Sequence, residues 1–290
     1  METELLSPAG SFDAGFYALQ NGADALYLGL GAFSARKAAK NFTLDEFARI
    51  KALAEAGGKR VYAAVNTLLT DEEIPRALDL LYDLEALNVD AVIIQDYALL
   101  EIIRRHFRRI AIHASTQMGV HNAQGVRFLA GEGVDRIILA RELGLEEIGR
   151  IRGECPHIEL EVFIHGAQCY SFSGLCLASG LLLGRSGNRG ECAQLCRSRY
   201  TPEDTGWAEA GPYCFSRDDL CLGEYALRLR ELGIRALKIE GRMKSPAWVA
   251  AVTAYYRCVL DGGEKREQEI LLEKSRLIFS RGSGTGFLEG

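Results

Sequence analysis

Short apolar runs that do not alternate with polar residues recur along this chain, and segments of helical periodicity separate them. Runs of this kind, rich in β-branched residues, are typical of strands that are buried on both faces of a parallel sheet. Several begin after a small turn and end on a polar residue or glycine. The eight runs lie at residues 4–7, 21–30, 61–66, 87–96, 110–115, 132–142, 160–166 and 232–242.

The segments between the runs have the apolar spacing of amphipathic helices. Thr43 with Glu46 and Thr70 with Glu73 have the spacing of a capping box, which marks a helix start. About eight β-α units in roughly 260 residues predict a (β/α)8 barrel rather than an open doubly wound sheet. No GxGxxG follows the first run, which argues against a dinucleotide-binding fold. Helices are predicted at Leu44–Ala56, Asp71–Leu87, Tyr97–Phe107, Asn122–Gly131 and Leu145–Arg152.

The opening residues have neither a basic segment nor an apolar core of the kind found in signal peptides. No apolar run is long enough to span a membrane. We therefore expect a cytoplasmic protein without membrane contact, in a reducing compartment where disulfides are rare. The eight cysteines are then free thiols or metal ligands. A net charge of −5 argues against a generally basic surface for nucleic acid but leaves room for a local basic patch.

The stretch 167–235 departs from the β-α pattern and is rich in Cys, Ser, Gly and Arg. It is predicted to be a long insertion between barrel strands seven and eight, and long loops in compact domains are often functional. The domain prediction is a barrel over 1–260 that includes this insertion. We expect residues 261–290 to be a linker and the start of a C-terminal region that this chain lacks.

Four of the six cysteines in the insertion lie within 28 residues, at Cys169, Cys176, Cys192 and Cys196. Their spacings of C-x6-C, C-x15-C and C-x3-C do not match the paired short spacing of most zinc sites. Irregular spacing on a loop favours a [4Fe–4S] cluster, which takes one thiolate for each iron. Structural zinc in a non-catalytic RNA- or partner-binding module is the alternative. Cys221 is a rival for the fourth ligand.

Polar side chains follow nearly every predicted strand, and in a barrel the catalytic groups lie at the carboxyl ends of the strands. Groups that can accept or donate a proton are predicted to be catalytic. Arginine side chains bind carboxylate and phosphate groups through paired hydrogen bonds. From residue 167 to 201 the insertion has one acidic residue, Glu191, and four arginines, Arg185, Arg189, Arg197 and Arg199. The predicted catalytic residues are His113, His165 and Glu240, and the predicted substrate-binding residues are Asn66, Gln117, Arg141, Arg189, Arg197 and Arg242.

Hydrolase signatures are absent from the sequence, which has no HExxH, no GxSxG and no P-loop. A cysteine protease that uses Cys169 and His165 is a second hypothesis. The two residues are four positions apart at the end of one strand, which is not a specific arrangement.

Several long phrases of this chain resemble the collagenase-like peptidase family, also called unknown-type peptidase family 32. They include ELEVFIHGAQCYSFSGLCLAS, GRSGNRGECAQLCR, LKIEGRMKSP, IHASTQMGVHN and the opening LLSPAGSFDAGFYALQNGADALYLGL. The resemblance covers residues 4–260, and the phrase GRSGNRGECAQLCR is nearer to the branch of the family that acts on ribosomal RNA. Members of that branch are much longer than 290 residues.

The resemblance implies an oxygen-independent hydroxylase rather than a peptidase. One branch of the family hydroxylates a tRNA uridine and depends on prephenate. A second hydroxylates a ribosomal RNA cytidine, and a third hydroxylates a ubiquinone precursor. The branches are linked to [4Fe–4S] clusters. Carried over by motif, the ligands are Cys169, Cys176, Cys192 and Cys196, of which Cys196 is the least secure. RNA is then the expected partner, prephenate or a related carboxylate the expected co-substrate, and an electron-donor protein a further expectation.

Overall fold

The computed structural model describes residues 3–201 and 211–289. Within them, eight parallel strands pair in chain order and close into a barrel, because the last barrel strand pairs with both the first and the seventh. This confirms the predicted (β/α)8 fold, and each of the eight apolar runs overlaps one barrel strand. The strands are β1 (Glu4–Ala9), β2 (Ala25–Gly29), β3 (Arg60–Val65), β4 (Ala91–Ile94), β5 (Ala111–Ala114), β6 (Arg136–Ile138), β7 (Glu159–Ala167), β8 (Asp219–Cys221), β9 (Ala236–Ile239) and β10 (Ser283–Gly284).

The five helices that the periodicity predicted are all present, with ends that differ by three residues or fewer. The Thr43–Glu46 capping box forms, since each residue's side chain accepts the other's backbone N–H. At Thr70, the Glu73 carboxylate accepts from both the backbone N–H and the hydroxyl. The helices are α1 (Phe12–Gln20), α2 (Leu44–Ala56), α3 (Ile74–Ala86), α4 (Tyr97–His106), α5 (Ala123–Gly131), α6 (Leu145–Glu154), α7 (Ala178–Leu183), α8 (Tyr225–Glu231), α9 (Pro246–Leu260) and α10 (Lys265–Ile278).

Ion pairs are buried inside the barrel, in the half that lies toward the amino-terminal ends of the strands. We call this half the lower layer of the barrel. Arg136 Nη1 lies 2.8 Å from Glu4 Oε1 and 3.3 Å from Glu161 Oε2, and Lys238 Nζ lies 2.8 Å from Glu161 Oε1. All four side chains are at most 4 % exposed. Because a charge inside a barrel requires a partner, these pairs hold β1, β6, β7 and β9 to one another in a specific register.

The insertion adds a strand to the rim of the barrel. β8 pairs antiparallel with the end of β7, at His165–Cys221 and Ala167–Asp219, and β10 pairs parallel with β8. β7 therefore continues past the barrel wall into a small extra sheet. This sheet positions the insertion over the carboxyl ends of the barrel strands.

Residues 261–289 include a helix, α10, and a short C-terminal segment that contacts the barrel. α10 lies against α9, Leu288 is buried, and its carbonyl accepts from Leu145 N. β10 adds the pairing with β8 described above. α10 is polar over most of its surface, and its buried residues are Gln268 and Ser275. Among the described residues, no helix has the length and hydrophobicity that crossing a membrane requires.

Candidate functional site

Three arginines, of which Arg242 is buried and Arg36 and Arg141 are partly buried, surround one carboxylate at the carboxyl ends of the barrel strands. Glu240, directly after β9, has Oε1 3.2 Å from Arg36 Nη2 and Oε2 3.9 Å from Arg141 Nη2. Arg242 is 5 % exposed, and its Nη1 donates to Ser34 Oγ at 2.7 Å. We call Arg36, Arg141, Arg242 and Glu240 the arginine cluster. Its formal charges sum to an excess of two positive charges.

The electrostatics of the cluster keep its carboxylate ionised. Burial by itself raises the pKa of Glu240, but Arg36, Arg141 and Arg242 outweigh it and hold this pKa at about 2. Burial lowers the pKa of Arg141 and of Arg242, the direction expected for cations that lack sufficient negative charge nearby. The cluster is therefore suited to take up a further anion.

Two nitrogen atoms of the cluster lack hydrogen-bond partners within the described residues. Arg141 Nε and Arg242 Nε are both buried and unpaired. An unpaired buried donor costs roughly 1–3 kcal/mol, so an acceptor that reaches these atoms gains that amount. Gly29 leaves the room that Arg242 occupies, because a Cβ there would lie 2.7 Å from Arg242 Nη1.

Two predicted binding residues, Asn66 and Gln117, form one hydrogen-bonded pair at the same end of the barrel. Asn66 Nδ2 donates to Gln117 Oε1 at 3.1 Å, and Asn66 Oδ1 accepts from Ala35 N. Ala35 precedes Arg36, so the pair supports the loop that carries this arginine. Tyr27 adds a hydroxyl 3.4 Å from Glu240 Oε2, and burial raises its pKa well above the usual value.

The four clustered cysteines, Cys169, Cys176, Cys192 and Cys196, are all free thiols above this end of the barrel. Cys192 is exposed, and the other three are partly buried. Gly187 separates two of them, since a Cβ at this position would lie 3.7 Å from both Cys176 O and Cys192 Cβ. Burial raises the pKa of Cys196, and the neighbouring Cys169, Cys192 and Cys176 raise it further. The four thiols are therefore close enough to interact electrostatically.

The cysteine side chains are not arranged as a closed set of ligands. Over residues 3–201 and 211–289, no three His, Cys, Asp or Glu side chains are placed to hold a metal ion. Cys169 Sγ lies 3.2 Å from Ser171 Oγ, and Cys192 Sγ accepts from Gln194 N. The donor chemistry, four free thiols on one loop, nevertheless fits an iron–sulfur cluster, which takes one thiolate for each iron.

Cys221 lies apart from the other four cysteines discussed. Burial raises its pKa, and the groups that act on it are Tyr256, Arg276 and the backbone of Gly223. Cys196, in contrast, interacts with Cys169, Cys176 and Cys192. Cys196 therefore lies among the clustered cysteines, and Cys221 does not.

His165 faces the helical layer instead of the arginine cluster. Its Nδ1 lies 3.2 Å from Tyr256 Oη, and its ring packs against Trp248 on the same helix, α9. Burial lowers the pKa of His165 to about 3, so the ring is neutral at physiological pH. β8 covers this part of β7, which the sequence did not indicate. The predicted Cys169–His165 pair is therefore not assembled.

His113 also lies away from the arginine cluster. Its ring stacks edge-on against Tyr62, and both line a cavity with Arg60, Arg136 and Glu159, which lie at the amino-terminal ends of their strands. Burial lowers the pKa of His113 well below its usual value. His113 is the third residue of a four-residue strand, and its side chain enters the barrel in the lower layer.

Two predicted binding arginines hold the insertion in place. Arg189 pairs with Glu73 through both terminal nitrogens, at 2.9 and 2.8 Å, and donates to Leu68 O. Arg197 donates to Gln168 O, Ser216 Oγ and Arg217 O. In the structure both side chains are engaged by protein groups, and neither belongs to the arginine cluster.

Arg36 belongs to the arginine cluster but is not among the site residues predicted from the sequence. It lies in the loop between β2 and α2, within the run GAFSARKAAKN, and no motif singles it out. Its position just after a barrel strand was an available signal, since loops at the carboxyl ends of the strands carry the active sites of such barrels.

Comparison with known proteins gives a consistent family assignment. Residues 10–290 match the profile of peptidase family U32. The chain is 36% identical over 300 residues to "tRNA hydroxylation protein P1" of Bacillus subtilis, covering 99% of this chain and 71% of that protein. It is 35% identical over 298 residues to the "23S rRNA 5-hydroxycytidine C2501 synthase" of Escherichia coli.

The second match covers 98% of this chain, which spans only 45% of the Escherichia coli protein. Among solved structures, a U32 peptidase matches with a TM-score of 0.57 at 18% identity, covering 83% of this chain and 94% of that chain. This likeness shows the barrel fold alone.

Proposed function

The chain belongs to peptidase family U32, and we propose that it hydroxylates a base of tRNA or ribosomal RNA without molecular oxygen. The names of its relatives in Bacillus subtilis and Escherichia coli support this substrate class. The proposal includes a [4Fe–4S] cluster and a small carboxylate co-substrate, of which prephenate is an example.

The cluster would be held by Cys169, Cys176, Cys192 and Cys196 of the insertion. When bound, such a cluster supplies one-electron transfer, which amino-acid side chains of this site do not. The insertion places the four thiols over the barrel end that carries the arginine cluster, and this juxtaposition is the observation that carries the proposal.

The arginine cluster would hold the carboxylate groups of the co-substrate. An anion would balance the excess of two positive charges. Its acceptor oxygens could also pair with the buried Nε atoms of Arg141 and Arg242, which have no partner among the described residues. Planar guanidinium groups bind carboxylates through paired hydrogen bonds. Arg242 and Glu240 are buried, so a small carboxylate suits this part of the cluster better than an RNA phosphate.

Replacing C–H by C–OH removes two electrons from the RNA base. Where the co-substrate supplies the hydroxyl group, its C–O bond breaks, a C–H bond replaces it, and the co-substrate gains those two electrons. Atoms and electrons then balance between base and co-substrate. The chain's own contribution is to bind and orient the co-substrate and to exclude water from the barrel end.

Glu240 was predicted to transfer a proton, but its pKa of about 2 makes it a poor proton acceptor at neutral pH. In the proposed function its charge holds Arg36 and Arg141 in position. The peptidase alternative lacks support from this site, because Cys169 has a serine hydroxyl rather than an imidazole beside it.

The test combines anaerobic purification with nucleoside analysis. The protein should contain iron and acid-labile sulfide, and deleting its gene should remove one hydroxylated nucleoside from digested RNA, as read by mass spectrometry. Wild-type protein should restore that nucleoside and Cys176→Ala should not. Arg199→Gln is the matched control, since Arg199 is exposed and has no ion pair among the described residues.

An iron-free protein with an unchanged set of nucleosides in the deletion strain would contradict the proposed function. Peptide cleavage that thiol reagents abolish would favour the peptidase instead. Loss of a hydroxylated quinone precursor, with RNA unchanged, would assign the protein to the third branch of the family.

A further inference from the structure

The insertion presents an exposed apolar surface that the proposed function does not use. Leu177, Leu181, Leu182 and Leu183, on and beside α7, are 71 %, 81 %, 71 % and 52 % exposed. We call these four residues the leucine knob. Apolar side chains concentrated in this way mark interaction sites more often than ordinary surface.

The leucine knob is attached to the proposed cluster ligands. Ser179, buried at the foot of α7, accepts a hydrogen bond from Ala193 N at 3.0 Å, next to Cys192. Cys176 precedes the knob by one residue. A protein that contacts the knob would therefore lie beside two of the four thiols.

Positive charge accompanies the knob without a matching acid. Arg185, two residues after α7, is exposed, and its side chain forms no hydrogen bond or ion pair within the described part of the chain. Glu191, the single acid from residue 167 to 201, is engaged by Lys37 at 2.7 Å. An acidic partner would thus find complementary charge.

From these observations we propose that the leucine knob docks an acidic protein that carries single electrons to the cluster. The inference rests on the proposed function. One electron leaves the reduced carrier and enters the cluster, and no bond is made or broken. Since base and co-substrate balance the two electrons of hydroxylation between them, the carrier sets the oxidation state of the cluster.

The chemistry of the knob favours a protein over single-stranded RNA as its occupant. Aliphatic leucines cannot stack on bases in the way that aromatic rings do. Encounters between redox proteins use small surfaces. Complementary charge around them raises the rate of association.

The experiment measures binding of a reduced, acidic [2Fe–2S] ferredoxin to the anaerobically reconstituted protein by calorimetry. The double variant Leu181→Glu/Leu182→Glu should raise the Kd for ferredoxin by about 10-fold or more. The reason is that charged side chains in the buried centre of an interface lose their hydration without gaining a partner. Leu277→Glu is the matched control, since Leu277 on α10 is 79 % exposed and outside the knob. Cluster absorbance should be the same in all three proteins.

Hydroxylation with dithionite as the electron source separates this inference from the proposed function. If wild-type protein hydroxylates RNA with dithionite but the knob variant binds ferredoxin as wild type does, the docking inference is overturned and the function stands. If dithionite supports no hydroxylation in wild type, the proposed function itself fails. Knob-dependent binding to RNA or to anionic lipid vesicles, without ferredoxin binding, would also overturn the inference.

Discussion

Arg36 Nη2 lies 3.2 Å from Glu240 Oε1, although 204 residues separate them in the chain. The pair joins the loop after β2 to the residue after β9, across the end of the barrel. With Arg141 and Arg242 it concentrates three cations around one carboxylate.

We expect Arg242→Gln to raise the KM for the carboxylate co-substrate by about 10- to 100-fold, with iron content unchanged. A charge-assisted hydrogen bond contributes about 1.5–3 kcal/mol, which corresponds to that range. Steady-state kinetics with RNA held in excess measures the change. Arg199→Gln should leave this KM as in wild type, and an equal effect of both variants would show that the charge acts only nonspecifically.

Glu240→Gln should lower the free energy of unfolding by about 3–5 kcal/mol at neutral pH, because it leaves buried arginines without their counter-charge. The folded-state pKa of Glu240 is about 2, below the usual value of a carboxyl group. Its stabilisation is therefore complete above about pH 4.5 and disappears as pH falls toward 2. Urea titrations at several pH values should show a shallower acid dependence in the variant; parallel curves would contradict the ion-pair account.

His165 should make the protein less stable as pH falls below about 6.5, because the unfolded chain then binds a proton that the folded ring does not. The folded-state pKa of about 3 sets the lower limit of this window. Between pH 7.5 and pH 5 the loss should be about 2 kcal/mol for this residue. His165→Phe should remove that part of the slope in paired urea titrations, and an unchanged slope would mean that the histidine is protonated when folded.

Cys196→Ala should abolish assembly of a stable cluster, whereas Cys221→Ala should retain it. The reason is position, since Cys196 interacts with the other three clustered thiols and Cys221 interacts with Tyr256. Iron and sulfide content after anaerobic reconstitution measures the result. Loss of iron in Cys221→Ala, with the thermal unfolding curve unchanged, would reverse the assignment of the fourth ligand.

The Arg189–Glu73 pair should contribute about 0.5–1 kcal/mol to stability, the range for partly exposed ion pairs. A double-mutant cycle with Arg189→Ala and Glu73→Ala measures this coupling. Because the pair fastens the insertion to the loop before α3, hydrogen exchange at residues 187–192 should become faster in either variant. The KM for the co-substrate should be unaffected, and a raised KM would return Arg189 to the binding residues.

The sequence by itself determined the barrel, because each strand and several helix boundaries are encoded in local patterns of apolar and capping residues. Thr43 with Glu46 needs only neighbours three positions away, and the helix that they start, α2, has the predicted ends. The insertion was also recognisable from its composition, which includes four cysteines within 28 residues.

Only the tertiary structure decided which polar residues share a site. His113 and His165 follow the same local pattern as Glu240, yet one side chain enters the lower barrel layer and the other packs against α9. A register shift between Phe163 and His165, and the pairing of β8 with β7, place the second histidine outside the mouth of the barrel. Arg36 reaches Glu240 because the closed barrel joins distant loops, and no local pattern encodes contacts between residues so far apart in the chain.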